Sequence, residues 1–358
     1  MGPVRPRLAP ASHFQPPLSR HESLYALSRT DRADVLLEAS AELGMRPLFI
    51  EKDYWVCMVL DILFSHPGLS PHLCFRGGTS LSKVYGKIQR FSEDIDVELS
   101  PTCFRDFSAD ELPLPGDGAG QTKAKERKMR KRYRSLVREE LIPYMQQALT
   151  GRGITGVRIE ADDLDNARDP YILYIYYPLS MQESTVGYVS ACVKLELCGR
   201  ADAEPSAPGQ LAPYLGQVFP EYHHLVQVRA VLPQRTLWEK AFILHETNTR
   251  ATHMPDEPIR ARLARHYYDL DALISAGCYD ASLFRHVADK RALSYSYKWV
   301  DYANLTPASM NIMPTNEARL REWEQDYNAM APMLRHDPEP FSAIIQRLSR
   351  FWESLQPE

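Results

Sequence analysis

The chain carries no C-x-x-C pair. Its six cysteines, Cys57, Cys74, Cys103, Cys192, Cys198 and Cys278, are scattered, and most lie in apolar runs, where cysteine behaves as a small hydrophobe. That excludes a disulfide framework or a paired-cysteine zinc site as the organising device, and reduced thiols in a cytosol are the expectation. The histidines do not fill the gap. His223 and His224 are adjacent, and His245, His253 and His266 show no ligand spacing with cysteines, so no zinc centre is expected. No apolar run approaches the roughly 20 residues that cross a bilayer, and the mean hydropathy is negative, so a soluble chain is expected. Met1 to Pro17 holds five prolines and two arginines but no apolar stretch. It reads as a loose tail, neither signal peptide nor anchor. An excess of basic charge is missing too. The formal net charge is −4, so any nucleic-acid contact has to come from a local basic patch. There is no internal repeat.

What is present suffices for a full core. With 358 residues, 44% of them hydrophobic, the chain is expected to form two domains. A charged fraction of 25% argues against global disorder. Behind a flexible tail over 1–22, residues 23–66 read as helices, one holding Leu36 and Leu37, another Tyr54, Met58, Leu60, Ile62 and Leu63. Leu73-Cys74-Phe75 reads as a buried strand that ends in a tight turn at Gly77-Gly78. Thr79 is the expected N-cap of the next helix. In that helix Leu81, Val84, Tyr85 and Ile88 form one apolar face, opposite Ser80, Lys83 and Lys87. Residues 94 to 99 alternate with period two and read as a strand.

A polar loop through Pro113, Pro115, Gly116, Gly118 and Gly120 precedes a basic helix from about Lys123 to Leu149. Strands are expected at Tyr171–Tyr177, Gly187–Leu197 and Leu225–Leu232, with a Pro/Gly/Ala-rich loop, Ala203–Pro213, before the last. From Thr236 onward every segment reads as helix, broken near Met254–Pro258, Pro307, Pro314 and Pro338–Pro340. This order predicts an α+β fold: a lobe with a mixed β-sheet over 23–233, then a helical C-terminal lobe over 234–358, joined near Pro233.

The residues that carry chemistry lie together. Two aspartates at i and i+2 of a strand point to one face, so Asp94 and Asp96 can share a metal cluster while Ile95 and Val97 face the core. Transfer from a nucleoside triphosphate asks for such a cluster. Two magnesium ions clamp the attacking and leaving oxygens, and magnesium prefers hard carboxylate ligands. The triphosphate needs donors that allow close approach, which Gly77-Gly78 ahead of a helix supplies. Ser80 and Lys83, one turn apart, add a hydroxyl and an ammonium. A D-x-D pair alone is also common on solvated strand edges. A strand, Gly-Gly-Thr-Ser, a helix and a D-x-D strand within twenty residues make a much stronger signal.

The segment from Phe75 to Lys83, F-R-G-G-T-S-L-S-K, followed by R-F-S-E-D-I-D from Arg90 to Asp96, resembles the AbiEii/MenT family of nucleotidyltransferase toxins, in the polymerase-β-like superfamily. Two weaker similarities follow. Glu239-Lys240 lies in a helix, and Arg265 to Leu270 is similar to the family's R-D-x-x-D-L element with His266 in place of the usual aspartate. The resemblance spans roughly residues 23 to 275 in order, and only the first motif is highly specific. It implies a polymerase-β-like lobe in which Asp94 and Asp96 bind magnesium or manganese. Gly77, Gly78, Thr79, Ser80 and Lys83 would hold the triphosphate, and Lys240 and Asp269 would close the site from the helical lobe. Against these roles stand a lysine snorkelling from a packed helix for Lys240 and an i−4 ion pair with Arg265 for Asp269.

Superfamily members commonly carry a third carboxylate on a neighbouring strand, which helps deprotonate the acceptor hydroxyl. Glu196 is the candidate, with Lys194 on the same face of its strand, and Glu98 is the competitor because it shares the Asp94/Asp96 face. Lys123 to Arg138 holds nine basic residues against one acid, Glu126. This run is either a solvated helix face or an RNA-backbone contact through Lys128, Arg130, Lys131 and Arg134. The function implied by the resemblance is transfer of a nucleoside monophosphate to an RNA hydroxyl, at the 3′ end of tRNA, by a cytoplasmic bacterial toxin with a cognate antitoxin. The rival readings are the same chemistry on a small-molecule or protein acceptor, and a catalytically silent binding module.

Overall fold

The computed structural model describes residues 24–114, 116–162, 171–181, 192–199, 202–295, 297–335 and 337–356. The chain divides into two compact units, Met1–Thr79 with Glu93–Ala230, and Ser80–Ser92 with Val231–Glu358. The expected tail over 1–22 and the stretch 187–191 of one expected strand lie outside the described residues.

In the first unit the helical pattern over 23–66 becomes two helices. Helix α1 (Arg29–Leu43) starts at Ser28, whose hydroxyl accepts from the Asp31 N–H, and stops at Gly44 in the left-handed region. Those are a side-chain N-cap and a glycine C-terminus. Helix α2 (Pro47–Phe64) opens on a proline, which costs nothing where the N–H has no helical partner. It is buried almost all round, from Phe49 through Leu60. Strand β1 (Leu73–Arg76) follows, then helix α3 (Gly77–Lys83), which continues into the second unit from Ser80, and strand β2 (Ile95–Leu99). Helices α4 (Ala119–Leu136) and α5 (Ile142–Gly151) are joined by a π-helical turn, Val137–Leu141. Strands β3 (Arg158–Ala161), β4 (Tyr171–Tyr176), β5 (Cys192–Cys198), β6 (Ser206–Leu211) and β7 (Val226–Val231) complete the unit's elements.

The seven strands form one mixed sheet in the order β3-β4-β5-β2-β1-β7-β6. β2 runs antiparallel to β1 and parallel to β5, and β1 runs parallel to β7. Register sorts the side chains cleanly. Phe75, Val97 and Leu197 share one level, and Ile95 and Leu195 another, so one face is apolar. Arg76, Asp96 and Glu196 align on the other face, as do Cys74, Glu98 and Cys198.

Three local expectations change. Helix α3 is seven residues long, shorter than the spacing of Leu81, Val84, Tyr85 and Ile88 predicts. The turn at Gly86, with φ +60, ends the helical run. Thr79 lies inside that helix rather than at its cap. The loop expected at Ala203–Pro213 contains β6, an edge strand, where Pro208 and Gly209 are tolerated because one side of the ladder is open. The four residues of β3, Arg158 to Ala161, are too few to show a period and give no strand signal in the sequence.

The second unit is helical: α6 (Pro233–His253), α7 (Arg265–Ser275), α8 (Phe284–Tyr295), α9 (Glu317–Ala329) and α10 (Phe341–Glu353). Tyr267 stands edge-on to Trp323 and Phe341, with ring centroids 5.0 and 5.5 Å away. Asn248 bolts this core by donating to Tyr267 Oη and the Ile312 carbonyl at 2.9 and 2.7 Å. Residues 89–91 join the unit as an extended strip. Phe91 N donates to Met333 O at 2.7 Å, and Arg335 N donates to Gln89 O at 3.1 Å. Among the described residues no helix is long and apolar enough to cross a membrane.

Candidate active site

The polar face of the sheet holds the expected carboxylates. Asp94 immediately precedes β2, and Asp96 is its second residue; both are half-buried while Ile95 and Val97 are buried. Parallel pairing sets Glu196 beside Asp96, on neighbouring strands whose spacing is about 4.8 Å. Glu98 is 2% exposed and accepts from Arg76 Nη1 at 2.9 Å. Of the two candidates for a third carboxylate, register thus puts Glu196 at the Asp96 level, while Glu98 is engaged in a part-buried ion pair with Arg76.

Lys194, two residues before Glu196, donates to the Glu196 carboxylate. Burial works against its charge, but Glu196 and the field of Asp94 hold the ammonium above the usual lysine range. A cation therefore already lies among these carboxylates. Among the described residues no three His, Cys, Asp or Glu side chains converge as a ready-made metal cluster. The available donors are nonetheless all hard carboxylate oxygens, the kind that suits magnesium or manganese.

The glycine turn is fitted to this strand. Gly77 has φ +78, and a Cβ on it would lie 2.1 Å from Asp96 Oδ2. Only a residue without a side chain lets the backbone rest against that carboxylate. Gly78, Thr79 and Ser80 are buried. Thr79 Oγ1 donates to the Asp94 carbonyl at 2.5 Å, tying α3 to the start of β2. Lys83, at the end of α3, is half-buried.

Three further residues belong to no motif. Glu51, Lys52 and Asp53 are consecutive charges inside the buried helix α2, each no more than 2% exposed. Glu51 Oε1 accepts from Tyr25 Oη, Ser180 N and Ser180 Oγ at 2.8, 3.0 and 2.5 Å. Asp53 Oδ2 accepts from Tyr214 N at 2.7 Å. Lys52 Nζ is 2.5 Å from Glu93 Oε2, next to Asp94 in sequence. Their one signal in the sequence is three charges interrupting an apolar run, Phe49-Ile50 to Leu63.

In the second unit Asp269 is fully buried. It accepts from Arg90 Nε and Nη2 at 2.7 Å each, and its Oδ2 lies 2.6 Å from Lys240 Nζ. Its bonds thus go to Arg90 and Lys240. Burial opposes the Asp269 charge, yet Arg90 and Lys240 hold its carboxyl well below the usual range. Burial pulls Lys240 below the ordinary lysine value against the opposing field of Asp269. His266, at the position where the resembling element has aspartate, is held neutral by burial and by Lys240 and Arg265.

Helix α4 buries Met129, Tyr133 and Leu136, and Tyr133 Oη donates to Leu99 O at 2.8 Å. Much of its charge is neutralised locally. Lys125 pairs with Asp117 at 2.8 Å, Lys128 with Glu111 at 3.4 Å, Arg130 with Glu126 at 3.5 Å and Arg132 with Glu111 at 2.7 Å. Lys123, Arg127 and Lys131 are exposed and Arg134 half-buried, spaced i, i+4, i+8 and i+11 along one side.

Residues 59–353 match the family model described as nucleotidyl transferase AbiEii toxin, type IV TA system. A search of curated proteins finds no match.

Proposed function

The chain belongs to the AbiEii family of nucleotidyltransferase toxins of type IV toxin–antitoxin systems, and from that premise we propose that its reaction is carried by Asp94, Asp96 and Glu196 on the polar face of the sheet. The family implies an antitoxin partner and a nucleoside triphosphate substrate. The observation that carries the site assignment is the register of Asp96 with Glu196, with the Gly77 backbone lying against Asp96.

Asp94 and Asp96 would hold magnesium or manganese, which when bound neutralises charge on the transferred phosphoryl group and on pyrophosphate. Glu196, bonded to Lys194, would be the third carboxylate toward that cation, and it takes the acceptor proton. Gly77 and Gly78 let the triphosphate approach the backbone closely. The acceptor oxygen attacks the α-phosphorus, the bond to the β-phosphate oxygen breaks, and pyrophosphate leaves. Ser80 and Lys83, which continue the glycine turn along α3, are assigned to the nucleotide, and within the second unit Asp269 is assigned to the support of Lys240. For the acceptor we take RNA, specifically the 3′ end of tRNA. The open basic side of α4 supports a polyanionic acceptor.

The test is to incubate the protein with each α-labelled nucleoside triphosphate, magnesium or manganese, and total RNA. Label should pass to RNA of tRNA size, and Asp94→Asn or Asp96→Asn should abolish transfer while thermal unfolding stays near wild type. Label found only on protein or on a small molecule would replace the acceptor. Near-wild-type turnover in either pure variant would overturn the carboxylate assignment.

A further inference from the structure

Helix α2 lies in the core, yet residues 51–53 are all charged and all buried. Charges in such a place are costly unless each is paired. Each of the three fastens a different segment: Glu51 the 180 region, Asp53 the chain at Tyr214, and Lys52 the chain at Glu93. Of these bonds, the one from Lys52 reaches the start of β2. Burial alternates from Glu93 to Val97, with Glu93, Ile95 and Val97 buried and Asp94 and Asp96 half-buried. A pull on Glu93 toward α2 therefore turns Asp94 and Asp96 to the opposite side. The Asp94 carbonyl is fixed separately by Thr79 Oγ1 at 2.5 Å. The chain is thus held at the Glu93 side chain and at the Asp94 main chain, one residue apart.

We propose that Lys52 is a positioning residue for the Asp94 and Asp96 carboxylates, acting through its buried pair with Glu93. This rests on the reading that Asp94 and Asp96 bind a divalent cation. Lys52 itself takes no step in the chemistry. Its part is to keep two carboxylates pointing to one side, despite their mutual repulsion, before a cation arrives.

The experiment measures Mn2+ binding to the full chain by calorimetry or by the electron paramagnetic resonance of the free ion, alongside thermal unfolding. Lys52→Met alone leaves Glu93 buried without its partner and risks misfolding, so the informative variant is Lys52→Met with Glu93→Met. It removes the two charges of the pair together, so neither is left without the other. Asp53→Ala is the comparison, a buried charge of the same helix whose bond goes to Tyr214 N and not to the chain leading into β2. The double variant should unfold as a folded protein does and bind Mn2+ about 10-fold or more weakly, as outer-shell changes around metal ligands do. Asp53→Ala should lower the melting temperature with Mn2+ affinity unchanged. Wild-type affinity in the double variant, or an equal loss in Asp53→Ala, would overturn the role of Lys52. If the wild type bound no Mn2+, or Asp96→Asn bound it as well as the wild type, the metal reading itself would fail and the positioning role with it.

Discussion

Gly77 and Gly86 both adopt positive φ, +78 and +60, but a side chain would meet Asp96 Oδ2 at 2.1 Å in the first case and nothing within 4 Å in the second. The two alanine variants therefore separate backbone strain from site geometry. Each carries a left-handed cost of about 1–2 kcal/mol. Only Gly77→Ala also displaces the carboxylate, so its transfer rate should fall about 100-fold or more, while Gly86→Ala keeps near-wild-type activity despite its left-handed cost. Equal activities would mean that Asp96 has room to move. Asp269 calls for the opposite kind of test. Asp269→Asn takes the counter-charge from both Arg90 and Lys240, and stranding buried charges costs about 3–5 kcal/mol. Lost activity in that variant should come with a large drop in urea midpoint; loss without it would give Asp269 a direct part in the chemistry.

Helix α4 shows what a charge run hides. Lys128 and Arg130 are paired with Glu111 and Glu126, whereas no ion pair reaches Lys123, Arg127, Lys131 or Arg134 among the described residues. Replacing those four with glutamine should flatten the salt dependence of RNA binding by about 0.7 to 0.9 log units for each phosphate no longer neutralised. Lys128→Gln with Arg130→Gln should change it little. A filter-binding salt titration distinguishes the two sets, and identical slopes throughout would return α4 to a solvated face. The sequence could show the run and Glu126 within it but not the other partners, because Asp106, Glu111 and Asp117 come from a loop without periodicity. The same limit explains the rest. Period-two alternation made the strand near 94–99 legible, runs of strand-forming residues those near 171–177 and 225–232, and the Gly-Gly-Thr-Ser and D-x-D spacing pointed to Gly77, Asp94 and Asp96. The Asp96–Glu196 register, the Lys52–Glu93 pair and the Arg90–Asp269 pair join residues 41 to 179 apart, and no local pattern encodes them.

The whole molecule should weaken in mild acid, and largely through histidine. Burial pushes His245 down to about 4, and its Nδ1 accepts from Asn311 N at 2.8 Å. Below about pH 6.5 the unfolded chain takes up a proton that the folded one refuses. This contribution is complete above that pH and fades as the pH falls toward 4, at most by roughly 3 kcal/mol. Asp269 has the same sign, but its window lies below the usual carboxylate range, so it does not act between pH 7 and 5. Urea unfolding at pH 7.5, 5.5 and 4.5 should show a steeper fall for the wild type than for His245→Asn, whose amide oxygen can accept the same N–H. Parallel falls would assign the acid sensitivity elsewhere.

The strip formed by residues 89–91 has a consequence for genetics. The second unit is discontinuous in the gene, since its Arg90 and the main-chain partners of Met333 and Arg335 are encoded more than a hundred codons before Val231. A 3′ gene fragment starting at codon 231 would express Lys240 and Asp269 without the arginine that completes their pairing. Such a fragment should be degraded in cells, and co-expression of a segment spanning 80–92 should restore its accumulation. Truncations from either end are then expected to look alike in a toxicity screen, for reasons of assembly that say nothing about where the chemistry is done.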